Sequence, residues 1–325
     1  MRRSVKNIIN VVITLILIIV GVSKLGYWVR PLDTDGAYQQ IESFHSLPEN
    51  SVEVIIYGSS YALRGLNTME LYDKYGIGAY NYAWHWQRIS TTKTFVADSL
   101  LSQKPKLAVI ETSHAGLVLE DRDINAEIFY TRYLHNREAV NKYLKKCFKG
   151  DSERYLSYYM PLCAFHDNWN SLTKQSISPL KVGDHYLQNM GFTPSDTITP
   201  ITLPDSSKFQ QEAFSESAVQ ELNEIVELCK QNDIEILFYT VPYEGEYCWG
   251  DAMEEYANEN GYQYLNLFEY IEEIGIDEEK DFFDKGHLNT SGATKVANFL
   301  GKYIDEHYEL TDMRRVEGNM WNRIK

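Results

Sequence analysis

Apolar positions along this chain fall into two kinds of run. Short, mostly apolar runs occupy Val52–Tyr57, Ala79–Trp84, Leu107–Thr112, Ile234–Val241 and Tyr262–Leu267, the first of them rich in β-branched residues. Leu107–Thr112 is a continuous apolar run, as expected of a strand in a parallel sheet. Between these runs, residues 61–75, 89–101, 216–231, 251–260 and 289–307 carry the helical period. Val219, Leu222, Ile225, Val226, Leu228 and Cys229 share one side of the third of these, and Ala293, Val296, Ala297, Leu300 and Ile304 one side of the last. A cap for that last helix is expected near Thr290 or Ser291, while Gly65 and Asn67 blur the start of 61–75. Lys104-Pro105-Lys106, Pro242 and Gly261 punctuate the alternation. The order of elements predicts a three-layer α/β/α domain around a roughly five-stranded parallel sheet. Chemistry in such sheets gathers beyond the carboxyl ends of the strands, so the loops after Tyr57, Trp84, Thr112 and Val241 share one rim.

Two regions depart from this rhythm. From 114 to about 214 the sequence is rich in Tyr, Trp and Phe, with Pro and Gly after Ser178. It reads as an insertion, helical over 136–148 and otherwise partly loop; crossovers this long build lids or binding walls. Within it, AFHDNWNSL (Ala164–Leu172) sets His166 and Trp169 three apart, on one face if helical. Trp169 suits stacking on a sugar ring and His166 suits contact with an acyl donor or acceptor; packing within the lid is the simpler role for both. Tyr130, Tyr133, Tyr155, Tyr158 and Tyr159 read as core and lid packing.

The second departure is the start. Ile8–Val22 is apolar apart from Asn10 and Thr14, and Leu25–Val29 continues it past Lys24. Ile8–Val29 is about the twenty residues a bilayer crossing needs. Lys24 can snorkel, and Tyr27 and Trp28 suit the interfacial belt. Arg2, Arg3 and Lys6 place the N-terminus in the cytoplasm and the rest outside. The organisation expected is a cytoplasmic start and single-pass anchor over 1–30, a polar tether over 31–50, and a catalytic domain over 51–325 that includes the inserted lid. A cleaved signal peptide is the alternative, without a convincing small-x-small site after the apolar run; both readings export the domain.

Composition narrows the function. At 44% hydrophobic and 13% aromatic, the 325 residues can build a large core. The first thirty residues hold five basic side chains and no acid, leaving 26 basic and 46 acidic residues beyond, a net of −20. Nucleic acid is excluded as a partner on that balance. An anionic membrane surface would repel such a domain too, so its membrane partnership is expected to come from the N-terminal helix. Cys147, Cys163, Cys229 and Cys248 form no C-x-x-C pair, which argues against zinc and leaves one or two disulfides open. With no phosphate loop, dinucleotide fingerprint or metal-ligand cluster, neither cofactor nor metal is expected.

Two stretches carry chemistry. In SVEVIIYGSSYALRG the first strand ends at Gly58-Ser59-Ser60 and a helix follows. Such a turn holds a serine oxygen in the open and aims unpaired helix N–H groups at whatever it attacks. In DFFDKGHLNTSG, Asp284 and His287 lie three apart just before the last helix. Asp284 can accept from one imidazole nitrogen and leave the other to take a serine proton.

The GSS turn and the DKGHLNTSG stretch together resemble the SGNH hydrolase family, also called GDSL esterases, over Val52–Tyr303. Within it the chain is similar to membrane-anchored bacterial envelope members, the DltD-like proteins of D-alanyl-lipoteichoic acid and the alginate-acetylation proteins. The resemblance implies a triad of Ser60, His287 and Asp284, with Ser59 the less favoured nucleophile. It implies a serine esterase or O-acyltransferase acting on acyl esters of a cell-envelope polysaccharide or teichoic-acid-like polymer. An acyl donor and a membrane-bound acyltransferase are the partners it implies. YNYAWHWQ (Tyr80–Gln87) resembles the family's second block, but Ala83 stands where that block has glycine. The third block's Gly-x-Asn-Asp is absent; the third strand ends Glu111-Thr112-Ser113-His114. Losing one oxyanion donor costs about 2.7–4 kcal/mol of transition-state stabilisation. The candidate donors are the N–H groups of Ser60 and Ala83 and the side chains of Asn81, Gln87 and His114, the last also a candidate substrate contact. These departures favour a rival reading, a catalytically inactive SGNH-fold binding or scaffold protein in envelope polymer assembly; the intact Ser60, Asp284 and His287 oppose it.

Overall fold

The computed structural model describes residues 2–33, 36–117 and 130–324. Two compact units emerge, a larger one of Ala37–Val140 with Val182–Lys325, and a smaller one of Met1–Gly36 with Asn141–Lys181.

The larger unit is built on five strands, β1 (Val54–Tyr57), β2 (Ala79–Asn81), β3 (Leu107–Glu111), β4 (Glu235–Thr240) and β5 (Gln263–Asn266). All pair in parallel, in the order β2-β1-β3-β4-β5. Every residue of β1, β2 and β3 is buried, the reason these runs lack polar alternation. Helices flank the sheet in two groups: Ile89–Ser99 packs with Glu216–Lys230, and Thr68–Tyr75 packs with Thr290–His307. The α/β/α architecture is as expected. The chain passes from β1 to one side and returns across it to β3 on the other, so the strand order reverses between β1 and β3. That crevice is where parallel sheets hold ligands.

Three local expectations change. The helix expected over 61–75 is two, Ser60–Gly65 and Thr68–Tyr75, because Asn67 turns out of the helix and its side chain accepts from the Met69 and Glu70 N–H groups. The last helix is capped by Asn289, whose side chain accepts from Gly292, and not by Thr290 or Ser291. Residues 31–50 are more than a tether. Ala37–His45 is a helix with Ala37, Ile41 and Phe44 buried at helical spacing. Phe44 stacks on Tyr82 with ring centroids 4.2 Å apart, and buried Gln40 donates to the Asn81 carbonyl at 2.7 Å. Of the expected insertion, 182–214 belongs to the sheet-bearing unit and 118–129 lies outside the described residues.

In the smaller unit, Arg2–Val29 is one helix, of which Val5–Val29 is long and apolar enough to cross a membrane. Its last turns are packed rather than bare. Pro161 and Leu162 lie against Gly26, the Tyr27 hydroxyl donates to the Ser178 carbonyl at 2.8 Å, and Asn168 donates to the Val29 carbonyl at 2.9 Å. Cys163, Cys229 and Cys248 form no disulfide.

Candidate active site

The turn after β1 is shaped by its contact with β3. Gly58 has φ +145°, and a Cβ there would lie 2.6 Å from the Glu111 Cβ, so glycine is required twice over. Ser59 caps the helix Ser60–Gly65: its oxygen accepts from the Tyr61 N–H at 3.2 Å and its hydroxyl donates to Glu111 Oε2 at 2.9 Å. The Ser59 N–H also points to Oε2 at 3.4 Å, and the Ser113 N–H donates to Oε1 at 2.6 Å. Glu111, only 3% exposed, thus clamps the turns after β1 and β3 together. Burial raises its pKa, and the hydrogen bonds from Ser113 and Ser59 offset part of that. The sequence signal for this residue is an acid closing an otherwise apolar strand, LAVIE. Glu111→Ala leaves two N–H groups and a hydroxyl buried without an acceptor. Urea unfolding is expected to show a loss of about 2–4 kcal/mol.

Ser60 follows as the first residue of its helix, with its side chain turned away from Glu111 and toward a loop from the far end of the chain. Ser60 Oγ lies 2.8 Å from His287 Nε2. On the other edge of the ring, Nδ1 lies 2.8 Å from Asp284 Oδ1 and 3.0 Å from Oδ2. The Gly286 N–H donates to Asp284 Oδ1 at 2.8 Å and fixes the carboxylate. The loop itself is pinned from below. Asp281, fully buried, accepts from Lys295 Nζ at 2.6 Å and from Ser291 Oγ at 2.7 Å. Asn289 Nδ2 donates to the Lys280 carbonyl at 2.7 Å, and the Phe283 N–H to the His287 carbonyl at 2.8 Å. Asp281, Ser291 and Lys295 therefore position the imidazole without touching it, a role invisible until the loop is folded. The β4 loop is tied in through the Lys285–Glu244 ion pair at 2.8 Å.

Tyr61 forms an aromatic wall. Its ring centroid lies 5.5 Å from His287, 5.3 Å from His114 and 4.8 Å from Tyr243, on which it stacks. Burial pushes the Tyr61 hydroxyl up to about 12, with the charges of Glu111 and Asp284 adding to it. His114 is the one candidate donor side chain that reaches this wall. Burial, with the Arg88 and His287 charges adding to it, lowers its pKa to about 4. Its ring is therefore neutral at neutral pH, and its buried Nδ1 has no hydrogen-bond partner among the described residues. The linkage is explicit. Above pH 6.5, folded and unfolded His114 are both neutral and the protein keeps its full stability. From pH 6.5 down to 4 the unfolded chain takes up a proton that the fold refuses, and stability falls. Comparing unfolding free energies at pH 7 and pH 4.5, the parent is expected to lose about 2 kcal/mol more than His114→Gln.

The other candidate donors already have partners within the protein. Asn81 is fully buried; its Nδ2 donates to the carbonyls of Ala62 at 2.8 Å and Leu66 at 3.3 Å, closing the short helix. Its Oδ1 accepts the Ala83 N–H at 3.3 Å, so both expected donors are engaged inside the protein. Gln87 is buried and donates to Thr92 Oγ1 at 3.2 Å. The Ser60 N–H, by contrast, heads a helix and has no acceptor within it. His166 and Trp169 belong to the smaller unit, where they are exposed on the 3₁₀ turn His166–Ser171. No cluster of three or more metal-ligating side chains occurs among the described residues.

No family model matches the sequence. No curated protein matches it either. Among the solved structures similar to this chain are two that align with most of it. One is described as a "putative acylhydrolase" from Bacteroides fragilis NCTC 9343, 13% identical, with 82% of this chain and 94% of that one covered at a TM-score of 0.39. The other is a GDSL-like lipase from Bacteroides thetaiotaomicron VPI-5482, 11% identical, with 83% and 98% covered at a TM-score of 0.40.

Proposed function

We propose that this chain is a membrane-anchored serine esterase or O-acyltransferase that works outside the cytoplasm on acyl esters of a cell-envelope polymer. The observation that carries the chemical part is the unbroken line from Ser60 Oγ through His287 to Asp284, set beside the crevice where the strand order reverses. In that geometry His287 Nε2 takes the Ser60 proton as Oγ attacks the ester carbonyl. The tetrahedral oxyanion forms over the start of the helix Ser60–Gly65, where the Ser60 N–H is available, and neutral His114 supplies a second donor. His287 then gives the proton to the departing sugar hydroxyl, leaving an acyl group on Ser60. Water or a second hydroxyl attacks that ester, His287 again acting as base, and Ser60 is restored. Asp284 holds the ring with Nδ1 protonated throughout.

The envelope polymer and the acyltransferase partner rest on the sequence resemblance and on the apolar N-terminal helix. A scaffold role remains the second reading, favoured by one observation: Asn81 and Ala83, the expected second-block donors, are already engaged. Fluorophosphonate labelling of the full chain in detergent separates the two, since the esterase reading expects a covalent adduct on Ser60 and a scaffold gives none. Acetyl-ester turnover with and without a sugar acceptor then divides esterase from transferase.

A further inference from the structure

The balance of charge hides a local reversal. In a chain of net −15, residues 141–181 hold seven basic and three acidic side chains. Lys142, Lys145, Lys146 and Lys149 recur at helical spacing along and just beyond Arg137–Cys147, and all are exposed. Lys145 and Lys149 border a groove with Phe148 and Tyr155. Large apolar side chains stand beside them in water. Leu156, Tyr159 and Met160 are exposed at positions i, i+3 and i+4, and Trp169 and Ile177 are exposed further along. Basic heads with exposed aromatic and aliphatic side chains are the pattern of an interfacial element.

The packing of this segment fixes its depth. A bilayer core of about 30 Å takes about twenty helical residues, which counted from Ile8 end at Tyr27. The contacts of 161–180 fall on that end: Pro161 and Leu162 on Gly26, Ser178 on Tyr27, Asn168 on Val29, and Ser176 on Arg30 at 3.0 Å. A segment bonded to Gly26–Arg30 has no route out of the headgroup region while the helix spans the bilayer.

We infer that residues 141–181 form a foot seated in the outer membrane–water interface, its apolar side chains among the upper acyl chains and its lysines on anionic headgroups. This rests on the reading of Arg2–Val29 as a retained anchor. The average acidity of the exported chain had argued against any contact with an anionic surface; the contact is confined to this one basic island.

Tryptophan quenching in vesicles of phosphatidylcholine brominated high on the acyl chain tests it, with the full chain reconstituted. Of six tryptophans, Trp28 and Trp169 are the two placed at that depth, so Trp169→Phe is expected to cut lipid-dependent quenching about two-fold, and Trp28→Phe likewise. If Trp28→Phe reduces quenching and Trp169→Phe leaves it unchanged, the anchor stands and the foot is wrong. If neither changes it, both fall. Replacing part of the lipid with phosphatidylglycerol is expected to increase the Trp169 contribution in the parent but not in a Lys145→Glu, Lys149→Glu double variant. Equal quenching in both lipids would overturn the anionic preference.

Discussion

Ser60→Ala is expected to remove acyl-ester turnover by a factor on the order of 10⁴ or more, and to remove fluorophosphonate labelling entirely. The size of the effect follows from what is deleted. Without Oγ there is no acyl-enzyme, and only the helix N-terminus and substrate binding remain to help water attack directly. The neighbouring serine is the internal control. Ser59 Oγ is already committed, donating to Glu111 and accepting from the Tyr61 N–H, and the residue is 1% exposed. Ser59→Ala is therefore expected to reduce stability by about 1 kcal/mol, the worth of a helix cap, while labelling persists. The pair of variants thus separates a nucleophile from a structural hydroxyl on adjacent residues. Labelling that survives Ser60→Ala and vanishes in Ser59→Ala would reverse the assignment.

The sheet was legible because its central strands are buried, which leaves continuous apolar runs such as VIIY and LAVI bounded by turn signals. The ends of the site were legible for a related reason. Gly58 and the Asp284–His287 spacing are local features, and the loop that carries the histidine opens a strongly periodic helix. What escaped the sequence depends on contacts between distant segments. The helix Ala37–His45 was lost among polar neighbours because Gln40 and Glu42 interrupt its apolar face, yet Gln40 is buried precisely where Asn81 needs a donor. The roles of Asn81 and Ala83 could not be read from the second block alone, since what engages them is the end of another helix and each other. Glu111 looked like the edge of a strand and is a clamp between two turns. The basic island at 141–181 was averaged away by the acidity of the remainder.

Asp284→Asn is expected to lower kcat/KM by about 10³–10⁴ while leaving the fold almost untouched. The carboxylate faces His287 Nδ1 with both oxygens, Oδ1 at 2.8 Å and Oδ2 at 3.0 Å, and its Oδ1 also accepts from the Gly286 N–H at 2.8 Å. In asparagine one of these two oxygens becomes an NH₂, so the remaining oxygen cannot fill both positions. If it stays on Gly286, the amide NH₂ turns to His287 and can only donate, so Nδ1 must become the acceptor and the ring proton moves to Nε2. That nitrogen then faces Ser60 Oγ, 2.8 Å away, with a proton already on it and no lone pair left to accept the serine proton. The loss is one of tautomer, not of position. Its stability effect is small because the Asp284 side chain is 45% exposed and its charge is well solvated in either state. Unfolding midpoints matching the parent to within about 1 kcal/mol, alongside the fall in kcat/KM, are the expected signature. An Asp284→Asn protein with nearly full turnover would remove the carboxylate from the mechanism and leave Ser60 and His287 to act as a pair.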